Sequence, residues 1–264
     1  MSSTVEGMGR MERGRTFDTV AALYDAQRNG YPGQLFADIA EIAALEPGAR
    51  VLEVGCGSGQ ATAGFVHRGF DVTAVDPGAS LVEIARRKFA DSSRVRFAVA
   101  SFEDWPLPAD RFHLVAAAQS WHWVGREVGF RKAADALVSG GHLAIFGHTP
   151  KWSEELVGLL QPAYLNHAPE LWAPPGENWY LPEGPISDLI MASGYFDDVG
   201  RRSYSWRRRY SASAFAAHLG TRCEVLMLPR SRRDALLTSI EASLPGEIDA
   251  DWVTNLYVAM ARSR

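Results

Sequence analysis

VLEVGCGSGQ, residues 51–60, is the stretch on which the reading of this chain turns. An apolar run stops abruptly in three glycines, Gly55, Gly57 and Gly59, alternating with Cys56 and Ser58. Glycine at that density weakens any strand or helix, so bare backbone must be required there. Residues 49–54 read as a buried strand and 59–68 as a helix. In an open α/β sheet, ligands sit beyond the carboxyl ends of the strands. Helix N–H groups following such a turn attract negative charge.

The flanking sequence repeats this alternation. Amphipathic helices are expected over TFDTVAALYDAQR and PGQLFADIAEIAAL, the second ending at Pro47-Gly48. Strands are expected at 70–76, 95–100, 112–118 and 141–147. The helix SLVEIARRKFA opens with Ser80 and Glu83 in capping-box spacing, and REVGFRKAADALV is closed by Gly140-Gly141. Near-continuous apolar strands alternating with amphipathic helices imply a parallel sheet covered on both faces. The organisation expected is a mobile tail at 1–15, an α/β core at 16–147, an insertion or lid over the acceptor pocket at 148–182, and a part at 183–264 that completes the sheet. The insertion combines Trp152, Trp172 and Trp179 with Pro162, Pro169, Pro174 and Pro175 and holds one helix near 153–160. Beyond it come a helix from Ile186, a long β-like segment carrying Arg201, Arg202, Arg207, Arg208 and Arg209, and helices near 211–221 and 231–243.

Composition narrows the classes. The chain has 264 residues, of which 47% are hydrophobic and 22% charged, an ordinary globular balance that excludes a disordered protein. A net charge of −4 gives no basic footprint for nucleic acid. No apolar run approaches the ~20 residues of a membrane helix. The two cysteines, Cys56 and Cys223, have no metal spacing and fit reduced thiols in a cytoplasmic protein. The histidines show no HExxH-type pattern, so no metal is expected.

Asp76 ends the second strand, where a carboxylate can accept hydrogen bonds from two ribose hydroxyls. That feature and the glycine turn suit NAD and S-adenosylmethionine (SAM) alike. A dinucleotide pyrophosphate prefers GxGxxG, whereas here the spacing is GxGxG, with Gln60 and Ala61 where a third glycine would fall. SAM has no phosphate and needs backbone close to its amino-acid end. Glu53, just before the turn, is the other acidic candidate.

VASFEDWPLPADRFHLV, residues 99–115, resembles the loop between the third and fourth strands of class I SAM-dependent methyltransferases of the type 11 group, which includes trans-aconitate and quinone methyltransferases. YDAQRNGYP, residues 24–32, and YSWRRRYSASAFAAHLGTRCEVLML near the end are similar to segments of the same group. The resemblance implies a seven-stranded, mostly parallel Rossmann-like sheet with helices on both faces and an antiparallel last strand at about 252–261. It implies SAM as cofactor and S-adenosylhomocysteine as product. Carried onto this sequence, it gives the cofactor-binding candidates Tyr24, Arg28, Glu53, Gly55, Cys56, Gly57, Gln60, Asp76, Pro77, Ser101, Phe102, Glu103 and Gln119. Asp76 is expected at ribose, Phe102 and Glu103 at adenine, and Gly55, Gly57 and Gln119 at the methionine end.

QSWHW, residues 119–123, follows the fourth strand, where acceptor chemistry occurs in this fold. Trp121 and Trp123 read either as an aromatic wall near a sulfonium or as a packed anchor. His122 is the catalytic candidate, as a base for an acceptor hydroxyl, or else a histidine bonded to backbone. Tyr31, Trp121, His122, Trp123 and Trp179 are the expected acceptor-binding residues. The function expected is methyl transfer to a carboxylate or hydroxyl oxygen of a small molecule, by a monomer or homodimer without nucleic-acid or membrane partners. The alternatives are a SAM-binding protein without catalysis and an NAD(P)-dependent oxidoreductase, the latter disfavoured by GxGxG.

Overall fold

A computed structural model describes residues 16–172 and 179–262. The expected tail at 1–15, and the part of the insertion at 173–178 with Pro174 and Pro175, lie outside the described residues.

Seven strands form one sheet: β1 (Arg50–Val54), β2 (Asp71–Asp76), β3 (Val95–Val99), β4 (Phe112–Ala118), β5 (Leu137–Pro150), β6 (Phe196–Ser211) and β7 (Glu247–Ala261). Their order is β3-β2-β1-β4-β5-β7-β6. All neighbours from β3 to β5 pair in parallel, and β7 runs antiparallel between β5 and β6. The Rossmann-like sheet with an antiparallel last strand is therefore present. The chain travels outward from β1 through β2 to β3 and then returns to β4 on the other side of β1. That reversal opens a crevice at the carboxyl ends of β1 and β4.

Strand alternation divides the core. Leu52 and Val54 face one hydrophobic layer with Val115, Leu143 and Ile145, while Val51 faces the opposite layer with Phe65, Leu114 and Phe146. The covering helices are α1 (Ala21–Gln27), α2 (Gly33–Ile42), α3 (Thr62–His67), α4 (Ala79–Lys88), α5 (Arg126–Ala136) and α7 (Ile186–Ala192), with α6 (Glu154–His167) beyond β5. After β6 come α8 (Ala212–Gly220), the short α9 (Cys223–Leu226) and α10 (Arg230–Ser243).

Several local expectations change. The helix after the glycine turn begins at Thr62, three residues later than its sequence suggests. The capping box does not form: α4 has Gly78 at its N-cap, and Ser80 and Leu81 donate their N–H groups to Asp18, 62 and 63 residues away. Gly140-Gly141 does not close a helix, because α5 ends at Ala136 and β5 has already begun at Leu137. A register shift between Phe112 and Leu114 absorbs the extra residues of β5.

The insertion is more regular than its composition implies. Ser153 caps α6 by accepting the Leu156 N–H at 3.2 Å, and the helix runs 14 residues with Pro162 inside it. Beyond the Pro150–Trp252 pair, β6 and β7 continue together to Ser211–Glu247. Leu160, Phe215, Leu219, Leu236 and Trp252 join α6, α8 and α10 to this overhang in a third hydrophobic cluster. The boundary expected at 147 falls inside β5.

Candidate functional site

A cavity of about 580 Å³ opens at the β1/β4 reversal, within the range typical of small-molecule sites. The glycine turn forms its floor. Gly55, Gly57 and Gly59 all have positive φ, at 71°, 54° and 90°. A Cβ on Gly55 would lie 2.3 Å from the Ser120 Cβ, so the turn can approach the end of β4 only without a side chain. Gln119 itself has φ of 53°, and its N–H donates to the Phe146 carbonyl at 2.8 Å. A non-glycine residue held there carries backbone strain of about 1–3 kcal/mol, a cost that recurs at binding sites.

Asp76 is buried at the end of β2 and lines the cavity. Its two oxygens accept the Gly57 N–H at 2.9 Å and the Gly78 N–H at 2.8 Å. Burial raises its pKa, and these two hydrogen bonds oppose the rise. Each oxygen keeps a further lone pair for a ligand hydroxyl. Pro77, Phe102 and Val124 line the same end. Glu103 accepts the Gly125 N–H at 2.7 Å, tying the loop after β3 to α5. Ser101 also lines the cavity, and its hydroxyl bonds Asp104 at 2.7 Å.

Tyr24 and Arg28 come from α1 and the residue after it. The Arg28 guanidinium sits over the Tyr24 ring, 4.7 Å from its centroid, and donates to the Thr221 carbonyl at 2.8 Å. Its Nε is buried with no partner among the described residues. An orphaned cationic donor in a cavity wall costs stability unless a ligand satisfies it. His122 and Trp123 line the cavity after β4, and His122 Nδ1 lies 3.0 Å from the Tyr180 hydroxyl. Tyr180 packs on the bare backbone of Gly147, where a Cβ would come within 2.5 Å of its ring. Trp179 lines the cavity and receives Arg126 over its ring at 5.1 Å.

Five expected site residues lie away from the lining. Trp121 is buried in the core against Phe130, with ring centroids 5.1 Å apart, so the packed-anchor reading describes it. Tyr31 stacks on His148 at 4.4 Å and meets Phe146 edge-on, behind the cavity wall. Glu53 faces α3, where it accepts the Thr62 hydroxyl at 2.5 Å; burial lifts its pKa to about 8. Cys56 is buried under the turn, and desolvation raises its thiol pKa well above the ordinary value. Gln60 bonds Ser58 at 2.7 Å and Asp25 at 3.4 Å, which ties the turn to α1.

Most of the far wall was not anticipated as part of a site; of its residues only His148 and Pro150 fall in the insertion expected at 148–182. His148, Pro150, His218, Arg222, Cys223, Glu224 and Trp252 line it, all at or beyond the end of β5. Burial lowers His148 to about pKa 3; its Nε2 reaches the Gly30 carbonyl at 3.1 Å and its Nδ1 the Thr254 hydroxyl at 2.8 Å. Since a carbonyl only accepts, Nε2 carries the proton. The Arg222 Nε donates to Glu224 at 2.5 Å, forming a half-exposed ion pair that holds Glu224 below its usual range. Of the expected arginine run, Arg207 and Arg209 pair with Asp251 and Asp249 across β7, while Arg208 turns inward to Asn29 and the Tyr210 ring. His218, Arg222, Cys223 and Glu224 lie in the segment that resembles the methyltransferase group, but only the overhang of β6 and β7 brings them to the cavity.

The cradle suits SAM: bare backbone at Gly55 and Gly57, a buried carboxylate at Asp76, and an unsatisfied Arg28 donor. Residues 51–141 match the model of a methyltransferase domain. An uncharacterized methyltransferase of Mycobacterium tuberculosis is 24% identical over 235 residues, covering 89% of this chain and 88% of that protein. A ubiquinone biosynthesis O-methyltransferase of Xanthomonas campestris is 46% identical over 193 residues, 68% of this chain and 74% of that protein. In fold, the chain is similar to a putative type II methyltransferase of Anaeromyxobacter dehalogenans, with a TM-score of 0.66, 24% identity, and coverage of 89% of this chain and 97% of that one.

Proposed function

From the premise that this chain belongs to the SAM-dependent methyltransferases, we propose that it transfers a methyl group to an oxygen of a small-molecule acceptor. The observation that carries this reading is the single cavity shared by the glycine turn, Asp76 and the aromatic far wall. Asp76 holds the ribose hydroxyls, and Phe102 with Glu103 borders the adenine. Gly57 and Gln119 receive the methionine end, with Arg28 placed for its carboxylate. When bound, SAM supplies an electrophilic methyl carbon on a good leaving group.

This chemistry asks the protein mainly for alignment and exclusion of water. His122, Trp123, Trp179 and Tyr180 border the acceptor side, and the Trp179–Tyr180 pair is the part of the insertion that acts as cover. The likeness to an O-methyltransferase favours oxygen as the methylated atom.

Isothermal calorimetry tests the reading. S-adenosylhomocysteine is expected to bind the full chain and SAM to compete with it, while NAD gives no heat. Binding of NAD without either SAM compound overturns it. Tight SAM binding with no product formed from any oxygen acceptor supports the non-catalytic alternative.

A further inference from the structure

Three buried or half-buried imidazoles line the cavity, and their nitrogens are committed differently. His148 uses both, as described above. His122 shares Nδ1 with the Tyr180 hydroxyl. His218 lies on α8 and directs Nδ1 at the Gln27 carbonyl, 2.9 Å away. That carbonyl can only accept, so Nδ1 bears the hydrogen and Nε2 of the neutral ring is a bare lone pair. Among the described residues, none bonds Nε2. The ring is clamped by Trp252 at 5.2 Å, Tyr210 at 5.7 Å and Phe215 at 6.4 Å, so it cannot swing away.

We propose, building on the functional reading above, that His218 Nε2 takes the proton of the acceptor, which is a planar ring carrying a hydroxyl. The groups around His218 choose between acceptor classes. Arg28 just after α1, Arg208 from β6 and Arg222 before α9 surround it with positive charge, while Glu224 is paired with Arg222 and His148 and Tyr210 are uncharged. Burial, reinforced by these arginines, depresses His218 to about pKa 4, so the base form is present at neutral pH. A carboxylate acceptor would set lone pair against lone pair at Nε2. An ammonium would meet the arginine field. A hydroxyl supplies the missing donor, and the same field stabilises the negative charge that develops on its oxygen.

Trp252 and Trp179 on the lining give flat apolar surface for a ring. As the acceptor oxygen bonds to the methyl carbon, the carbon–sulfur bond breaks and its electron pair stays on sulfur. The hydroxyl proton passes to Nε2, giving an imidazolium that later releases it to solvent. The sulfonium charge disappears in that step, so the net charge of the cavity does not rise.

The test uses p-nitrophenol, a planar phenol whose absorbance reports its ionisation, with p-nitrobenzoate as the carboxylate counterpart. Both are titrated into the full chain loaded with S-adenosylhomocysteine, with imidazole ¹⁵N spectra in parallel. The phenol is expected to bind at least tenfold more tightly than the benzoate and to shift the His218 Nε2 resonance. His218→Asn keeps a donor for the Gln27 carbonyl but lacks Nε2. It should bind S-adenosylhomocysteine as the parent does and lose at least tenfold in phenol affinity. Unchanged phenol affinity in His218→Asn, preference for the benzoate, or no phenol binding despite normal S-adenosylhomocysteine binding overturns the proposal. Failure of the parent chain to bind S-adenosylhomocysteine overturns the functional reading instead, and this one with it.

Discussion

Gly55 shows how much one residue can carry. Its positive φ is a local demand, but the 2.3 Å approach of Ser120 is set by β4, sixty-five residues on. Asp76 has a similar double role. Replacing it with Ala would leave the Gly57 and Gly78 N–H groups unpaired, at about 1–3 kcal/mol each, so loss of binding and loss of fold would be confounded. Asp76→Asn keeps one acceptor oxygen. It is expected to weaken S-adenosylhomocysteine about tenfold to a hundredfold, the worth of a charge-assisted hydrogen bond, while the protein stays folded. Calorimetry on the variant, with circular dichroism to verify folding, decides; unchanged affinity would move ribose recognition elsewhere.

Glu53 makes a pH prediction. Its folded pKa, about 8, is raised above the ordinary 4.5 by desolvation, with Thr62 donating in opposition and Asp76 adding to the rise. The fold therefore favours the protonated acid. That stability is fully present below about pH 4.5 and is lost as pH rises through about 8, at up to about 1.4 kcal/mol per pH unit. Glu53→Gln cannot ionise. Urea midpoints at about pH 6 and pH 8.5 should show the variant gaining on the parent by about 1–3 kcal/mol at the higher pH. Parallel pH slopes for the two proteins would rule out a neutral Glu53.

At the scale of elements, α4 is the instructive case. Ser80 and Glu83 have the spacing of a capping box, yet the cap comes from Asp18, whose carboxylate takes the Ser80 and Leu81 N–H groups at 2.7 and 3.1 Å. The segment before α1 is thereby pinned beside the cavity, where Phe17 lines the wall. Asp18→Ala should cost about 1 kcal/mol, the usual worth of an N-cap. Ser80→Ala, which keeps the backbone N–H, should cost much less. Thermal denaturation of the two variants compares them, and equal losses would mean that the local cap contributes after all.

The arginine-bearing strand makes a related point. Alternation sends Arg207 and Arg209 to one face and Arg208 to the other, and β6 is an edge strand. The two-residue period of a strand supplies that division. It could not supply the inward partner, Asn29, which lies 179 residues away.

At the scale of the molecule, the cavity is assembled from the amino-terminal helix, the carboxyl ends of β1, β2 and β4, and the overhanging β6–β7 pair with α8 and α9. A ligand that bridges these parts binds only the folded arrangement. S-adenosylhomocysteine at a hundredfold excess over Kd should therefore stabilise the chain by about 2.7 kcal/mol, seen as a rise in Tm. Hydrogen exchange should show added protection at residues 55–59, 119–124 and 179–182. Within the insertion, α6 should be unaffected, because it packs against α10 rather than over the cavity. Added protection across α6 would restore the whole insertion as the moving cover.

The family resemblance implied the type of cofactor, and the sequence by itself determined the order of the strands and helices, the glycine turn and the acid at the end of β2. Each of these rests on periodicity or spacing within a few dozen residues, which the covalent chain enforces directly. It did not reveal that Trp121 and Tyr31 are packing residues, because an aromatic side chain reads the same whether it faces a ligand or a core. Nor did it reveal the far wall of His218, Arg222, Glu224 and Trp252. These side chains face one cavity only because β7 inserts antiparallel between β5 and β6 and carries the last helices back over the β1/β4 crevice. Such a wall is made by contacts between residues far apart along the chain, and only the packed fold brings them within hydrogen-bonding reach.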